Sequence, residues 1–256
     1  MSTSYDKPMY PAPGSAEKKS NVVVIVLIIL AVLFVVALCV IGLLVALLLP
    51  AVAQARSAAQ RAMAQNSAHQ ITLALLNYEA VHGKFPAAQT TGDGSKPLMS
   101  WRVEILPFLE ESSIYEKLQR EQAWNGPANL PFTNLPVRAF TSPRCPDTDG
   151  TNRTAFVAVV GPDTVLRPDR TRKMREIADG ASNTAMLMEL FESDIAWAEP
   201  RDISVEEAVR LIQSCPDQRG LAVAMADGSV QTLPPTTSEE TIIKMFNCSD
   251  GAASPW

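Results

Sequence analysis

The stretch Val22–Leu49, VVVIVLIILAVLFVVALCVIGLLVALLL, carries no charge, and nothing in it is more polar than the Cys39 thiol. Wound as an α-helix at ~1.5 Å per residue it is roughly 42 Å long, beyond the ~30 Å hydrocarbon thickness of a bilayer. It reads as a transmembrane helix over 22–49, with the lipid bilayer as its partner. A cleaved secretory signal is the competing reading, because Lys18 and Lys19 precede the segment and Ala51-Val52-Ala53 or Ala53-Gln54-Ala55 offers small residues for cleavage. The apolar core of a signal is only about 7–15 residues, which favours a retained anchor. Lys18 and Lys19 on one flank face Arg56 and Arg61 on the other, so loop charge barely orients the span. Size decides instead. The short tail 1–21, rich in Pro and Ser and expected to be disordered, stays in the cytoplasm, and the large C-terminal part is exported.

Outside this segment the composition is that of an ordinary soluble domain, although the whole chain of 256 residues is 47% hydrophobic. A formal net charge of -5 disfavours a nucleic-acid partner. Cys39 falls in the span, leaving Cys145, Cys215 and Cys248 outside; at most one internal disulfide is possible among these three, and its pairing is open.

After the span, Pro50 should bend the helix rather than end it, since a freed carbonyl near lipid has few other partners. Over 50–82, Val52, Ala55, Ala59, Met63, Ile71, Ala74, Leu75 and Tyr78 recur at helical spacing, so the helix continues as a stalk until Gly83. Ala51–Ala68 is expected to stand clear of the head, and Ile71–Val81 to pack into it. Residues 83–256 are then the head. Ser113 with Glu116 suggests a capping box for a helix through Tyr115 and Leu118, and Trp124–Pro146, with five prolines, reads as irregular chain over a core. Strands are expected at Ala155–Val160 and Thr184–Phe191, and a hairpin at Leu221–Leu233 around a primed turn at Asp227-Gly228. Ser204 with Glu207 caps one helix, and Thr237 with Glu240 caps another that ends near Phe246. The fold class is α+β: a long N-terminal transmembrane and stalk helix, then a head with an antiparallel sheet.

These residues also spell a pattern. Leu49-Pro50-Ala51-Val52, Leu75-Leu76-Asn77-Tyr78, Gly83-Lys84-Phe85-Pro86, Ser100-Trp101-Arg102, Ile105-Leu106-Pro107-Phe108-Leu109-Glu110, Cys145-Pro146, Asp179-Gly180-Ala181-Ser182-Asn183-Thr184, Pro200-Arg201-Asp202 and Ala226-Asp227-Gly228-Ser229-Val230 follow in order. Together they resemble the bacterial domain of unknown function 1559, over about 50–250. That family looks like type IV pilins and type II secretion pseudopilins, so the resemblance implies a pilin-like head on a long membrane helix. Pilin-like members open with Gly-Phe-Thr-Leu-Ile-Glu, cut after the glycine. Aligned on Pro50, that glycine falls at Ile28 and the glutamate at Leu33. The expectation is therefore an uncleaved, single-pass protein of the inner membrane that makes protein contacts in the envelope. A working pseudopilin and a periplasmic solute-binding or enzymatic head are the alternatives.

No catalytic, cofactor-binding or metal-ligating residue is assigned. Asp179–Thr184 reads as an Asx turn launching a strand, and Asp147–Asn152 lacks the closing glutamate of a calcium loop. His69 and His82 are nearly four helical turns apart, roughly 20 Å, too far to share a metal. No Gly-x-Ser-x-Gly elbow, Walker loop, dinucleotide fingerprint or His-Glu-x-x-His occurs. Trp101, Trp124 and Trp197 are read as packing residues, and Arg102 with Glu189, each in an apolar segment, as a partly buried ion pair.

Overall fold

A computed structural model describes residues 18–92, 96–168 and 170–248. The chain divides into two units, Met1–Arg56 and Ser57–Trp256. Within the first, the helix α1 begins at Lys18, so it takes in the last residues of the tail expected to be disordered. The rest of that tail lies outside the described residues. From Val22 to Leu49 the apolar side chains are exposed all round the helix. Pro50 lies inside α1, which runs on to His82.

In the second unit, the α1 segment after Ser57 presents Ala64, Ala68, Ile71, Ala74 and Leu75 to the core. Packing thus starts two turns before the Ile71 expected from the sequence. Small alanines let the helix approach closely there without contributing the bulky periodicity that marks a core face. Val81, expected inside, is 69% exposed. Gly83 adopts a left-handed φ of 71° and donates its N–H to the Glu79 carbonyl, the usual close of a helix by glycine.

The chain then forms a small hairpin from β1 (Gln89–Thr91) and β2 (Pro97–Ser100), followed by the single turn α2 (Trp101–Glu104). Ser100 caps α2 by accepting from the Arg102 N–H. The next turn, α3, spans Ser112–Tyr115 and places Ser113 inside it, so the expected Ser113/Glu116 capping box is not formed. The reason is local. Glu110 at φ 64° turns the chain, and the Glu111 carbonyl receives the Ile114 and Tyr115 N–H groups, starting the turn early. Leu130–Thr133 (α4) and short 3₁₀ turns punctuate an otherwise irregular passage to Pro146, as expected.

The main sheet has five strands in the order β5-β3-β4-β6-β7: β3 (Phe156–Val160), β4 (Ala185–Glu189), β5 (Ile203–Ser204), β6 (Leu221–Met225) and β7 (Val230–Leu233). All pairs are antiparallel except β3 with β5. The strands β3, β4 and β6 are buried on both faces, so they read as apolar runs rather than alternating ones. On one face Phe156, Ala158, Leu187 and Ala224 join Ile71 and Leu75 of α1 with Trp101 and Trp197. On the other, Val157, Val159, Met188 and Val223 meet α5 (Val205–Gln213) and α6 (Glu239–Phe246). A register shift between Ala185 and Leu187 lets both Met186 and Leu187 face the first layer. The α+β architecture read from the sequence is the one the chain adopts.

Ser204 caps α5 through the Glu207 N–H, as expected, but α6 is capped by Ser238 accepting from the Thr241 N–H, one residue beyond the expected Thr237. The Thr237 hydroxyl instead donates to the Pro234 carbonyl, closing the turn after β7. The β6–β7 hairpin also differs in detail. Only Gly228 takes positive φ, 96°, and the Met225 N–H meets the Ser229 carbonyl, so the connection is a three-residue loop with a glycine bulge rather than a two-residue primed turn. Tertiary bonds select it: the Ala226 and Asp227 N–H groups donate to the Thr184 and Ala181 carbonyls.

Gly220, at φ 89°, precedes β6, and a Cβ there would lie 1.7 Å from the Leu233 carbonyl oxygen. Gly83 shares the left-handed conformation with nothing within 4 Å. Urea unfolding of the full chain in detergent is expected to show Gly83→Ala costing about 1 kcal/mol, the strain of the conformation alone. Gly220→Ala is expected to cost on the order of 3 kcal/mol or more, because backbone has to move.

Candidate functional site

A charged side chain placed in an apolar segment has to find compensation, since an uncompensated buried ion is costly. Two such centres organise the head. At the first, Arg102 is completely buried where Ser100 launches α2 beneath β3. Its Nη2 donates to Asp202 Oδ1 at 2.6 Å, its Nη1 to Ser100 Oγ at 2.7 Å, and its Nε to the Phe156 carbonyl at 3.0 Å. Asp202 accepts further from the Ala158 N–H at 2.8 Å and from the Trp101 indole at 3.1 Å. Burial pushes the Asp202 carboxyl upward, opposed by Arg102, the Ala158 N–H and Trp101.

At the second centre, Glu189 at the end of β4 is also fully buried. It accepts from Ser142 Oγ at 2.6 Å and from Arg144 Nη1 at 2.8 Å. Arg144 Nη2 reaches the Gly220 carbonyl at 2.6 Å and Asp217 at 3.1 Å, and the guanidinium lies 4.6 Å from the centre of the Phe191 ring. Arg61 of α1 completes the chain at 3.8 Å from Asp217. Burial raises the Glu189 carboxyl, and Arg144 opposes it.

The expected Arg102–Glu189 pair is therefore not formed; each has a different partner. Sequence context identified the two residues as buried charges, because each interrupts an apolar run. It could not pair them. Asp202, Arg144 and Asp217 lie in loop-like stretches with no periodicity, and only the sheet order shows which loop each strand end meets.

The polar loops are used internally. In Asp179–Thr184, Asn183 donates to the Asp179 carbonyl and Thr184 to the Gly180 carbonyl, a turn supporting β4. In Asp147–Asn152, Asp147 accepts from the Ser193 N–H, Thr148 donates to the Cys145 carbonyl, and Asn152 donates to the Thr133 carbonyl. His69 donates from Nδ1 to the Gly228 carbonyl at 2.7 Å, tying α1 to the hairpin tip, whereas His82 stacks on Tyr78 at 4.0 Å between ring centres. Among the described residues no group of three His, Cys, Asp or Glu side chains is placed to hold a metal. Cys145, Cys215 and Cys248 are all buried free thiols, and burial raises Cys145 to about 12 and Cys248 to about 11. Such thiols are protonated at neutral pH and poor nucleophiles. Trp101 and Trp197 are fully buried with their indole N–H groups bonded to Asp202 and to the Leu135 carbonyl, while Trp124 packs at the margin.

An apolar cavity of about 210 Å³, lined by Leu190, Phe191, Leu211, Cys215 and Leu221, sits beside the Glu189 centre. It is below the ~300 Å³ typical of small-molecule sites. Another titratable group, Glu104, lies partly buried near Tyr78, Tyr115, Arg120 and His82. Its carboxyl is raised by burial, with Arg120 and then His82 opposing.

Two outcomes are expected. Glu189→Leu or Arg144→Met alone strands a buried charge and costs about 3–5 kcal/mol in urea unfolding, whereas the double variant loses less than the sum. Glu104 has a folded-state pKa above its unfolded one, so its contribution to stability is present at low pH and declines as pH rises past the ordinary carboxylate range. Glu104→Gln lacks that decline. Its stability relative to the parent is therefore expected to be higher near pH 7 than near pH 4, read from urea midpoints at both.

Residues 53–163 match the family described as "Protein of unknown function (DUF1559)". No curated protein and no solved structure matches the chain. The match covers the packed half of α1, the Gly83–Pro86 and Ser100–Arg102 motifs and the first central strand. Over that region the chain is similar to the DUF1559 family, in keeping with the resemblance its motifs carry.

Proposed function

We propose that this is a non-enzymatic, single-pass protein of the inner membrane, pilin-like in plan, whose exported head makes protein contacts in the cell envelope. The observation that carries the reading is α1. Its Val22–Leu49 stretch is apolar and exposed all round, and the same helix supplies Ile71 and Leu75 to the core of the second unit. Cleavage after Ala53 or Ala55 would separate an anchor from a helix whose remaining turns the head needs. The N-terminus is cytoplasmic in this reading, which places the folded head, residues 83–256, on the exported side.

The non-enzymatic part is supported by how the head spends its chemistry. Arg102, Asp202, Arg144 and Glu189 are bonded to each other and to backbone, and both histidines of the chain bond to carbonyls of the fold. Ile28 and Leu33 replace the glycine and glutamate on which pilin processing and registration depend, which weighs against a working pseudopilin.

Native protein is expected to stay with membranes through alkaline extraction and to show the intact 27.7 kDa mass. Protease added outside spheroplasts is expected to remove the head. A mass corresponding to cleavage after Ile28 with an N-methylated terminus would make it a pseudopilin, and freely soluble material starting near Gln54 would make the span a signal.

A further inference from the structure

The segment Arg167-Pro168-Asp169-Arg170-Thr171-Arg172-Lys173-Met174-Arg175-Glu176 concentrates five basic residues in a chain whose net charge is -5. Two of them are drawn inward. The Arg167 and Arg172 carbonyls accept from the Ala88 and Phe85 N–H groups, each at 2.8 Å, so the segment is laid alongside the Gly83–Pro86 motif and its fully buried Phe85. This pins both residues where each is only 8% exposed. Arg172 donates from Nη1 to the Glu176 carbonyl at 3.2 Å, yet its Nε is buried with no hydrogen-bond partner among the described residues. The Glu176 carboxylate, which could have answered it, instead accepts from the Lys173 N–H at 3.3 Å.

A buried guanidinium met only by a carbonyl is a poor arrangement for stability, because an arginine offers five donors and a fixed positive charge. Arg167, Arg170, Thr171, Arg172 and Glu176 line a polar cavity of about 410 Å³. We propose that Arg170, Thr171 and Arg172 bind the phosphate of a phosphomonoester, their two positive charges outweighing the single Glu176 carboxylate on the same lining. Guanidinium forks match two oxygens of a phosphate at a time, and the threonine hydroxyl supplies a further donor. Two or more positive charges select a dianion over chloride or a carboxylate. The cavity exceeds the volume of a bare phosphate, leaving room for the esterified group. The phosphate could reside on a soluble phosphoester or on a lipid headgroup, which share this chemistry. The site goes beyond the anchoring role proposed above and stands or falls separately from it.

The test uses the full chain in phosphatidylcholine nanodiscs, with glycerol 3-phosphate as probe and sodium chloride matching ionic strength. Saturable binding by calorimetry and a raised unfolding temperature are expected with the phosphoester and not with chloride. Arg170→Gln, at an exposed position, is expected to weaken binding about tenfold without altering the fold. Arg172→Met is expected to unfold at a higher temperature than the parent in phosphate-free buffer, since it removes an uncompensated buried charge, and to lose the response to the probe. An Arg201→Gln control, at a surface ion pair elsewhere, is expected to bind normally. Phosphatidic acid in the nanodisc that suppresses the response identifies a lipid source; an unchanged response identifies a soluble one. Absence of saturable binding, binding that survives both Arg170→Gln and Arg172→Met, or an Arg172→Met variant less stable than the parent without phosphate would each overturn the assignment.

Discussion

The head depends on a sheet whose central strands have no wet face. With β3, β4 and β6 buried on both sides, a layer of apolar cover is needed above and below, and neither layer is dispensable. On one side α5 and α6 provide it with short, well-capped amphipathic turns. On the other, the cover is assembled from α1, two tryptophans and a long irregular passage that could not hold its shape in isolation. The helix that carries the apolar Val22–Leu49 stretch is thus also a wall of the core, which is why its later turns are rich in small residues that allow close approach.

The same constraint explains which parts were legible in the sequence. The apolar N-terminal segment, the strands and α5 announce themselves through unbroken apolar runs or 3.6-residue periodicity. The start of packing along α1 did not, because Ala64 and Ala68 look the same to a periodicity argument whether they face a core or solvent. The Asp227-Gly228 pair correctly marked a hairpin, but the loop length was decided by bonds to Thr184 and Ala181, some forty residues earlier. The displaced caps on α3 and α6 have a similar origin: serine, threonine and glutamate occur at adjacent positions, and which one sits at the helix start is settled by the preceding turn.

Charges were half legible. Arg102 and Glu189 stood out as misfits in apolar surroundings, and both are indeed sealed in. Their partners came from elsewhere, with Asp202 supplied by the approach to β5 and Arg144 by the Cys145-Pro146 turn. The motifs Ser100-Trp101-Arg102 and Pro200-Arg201-Asp202 turn out to be two halves of one buried network, so their joint presence is a statement about folding before it is one about activity. Arg172 differs in kind, since it is as buried as Arg144 while its Nε has no hydrogen-bond partner among the described residues.

The rims of the main sheet are short. β5 offers two residues and β7 four, with Gln65 of α1 bonded to Thr232 at that margin. An intruding extended peptide would find too little free backbone to zip onto. Copies of this protein crowded together are therefore guarded against fusing into β-rich aggregates, and any association between heads falls to side chains.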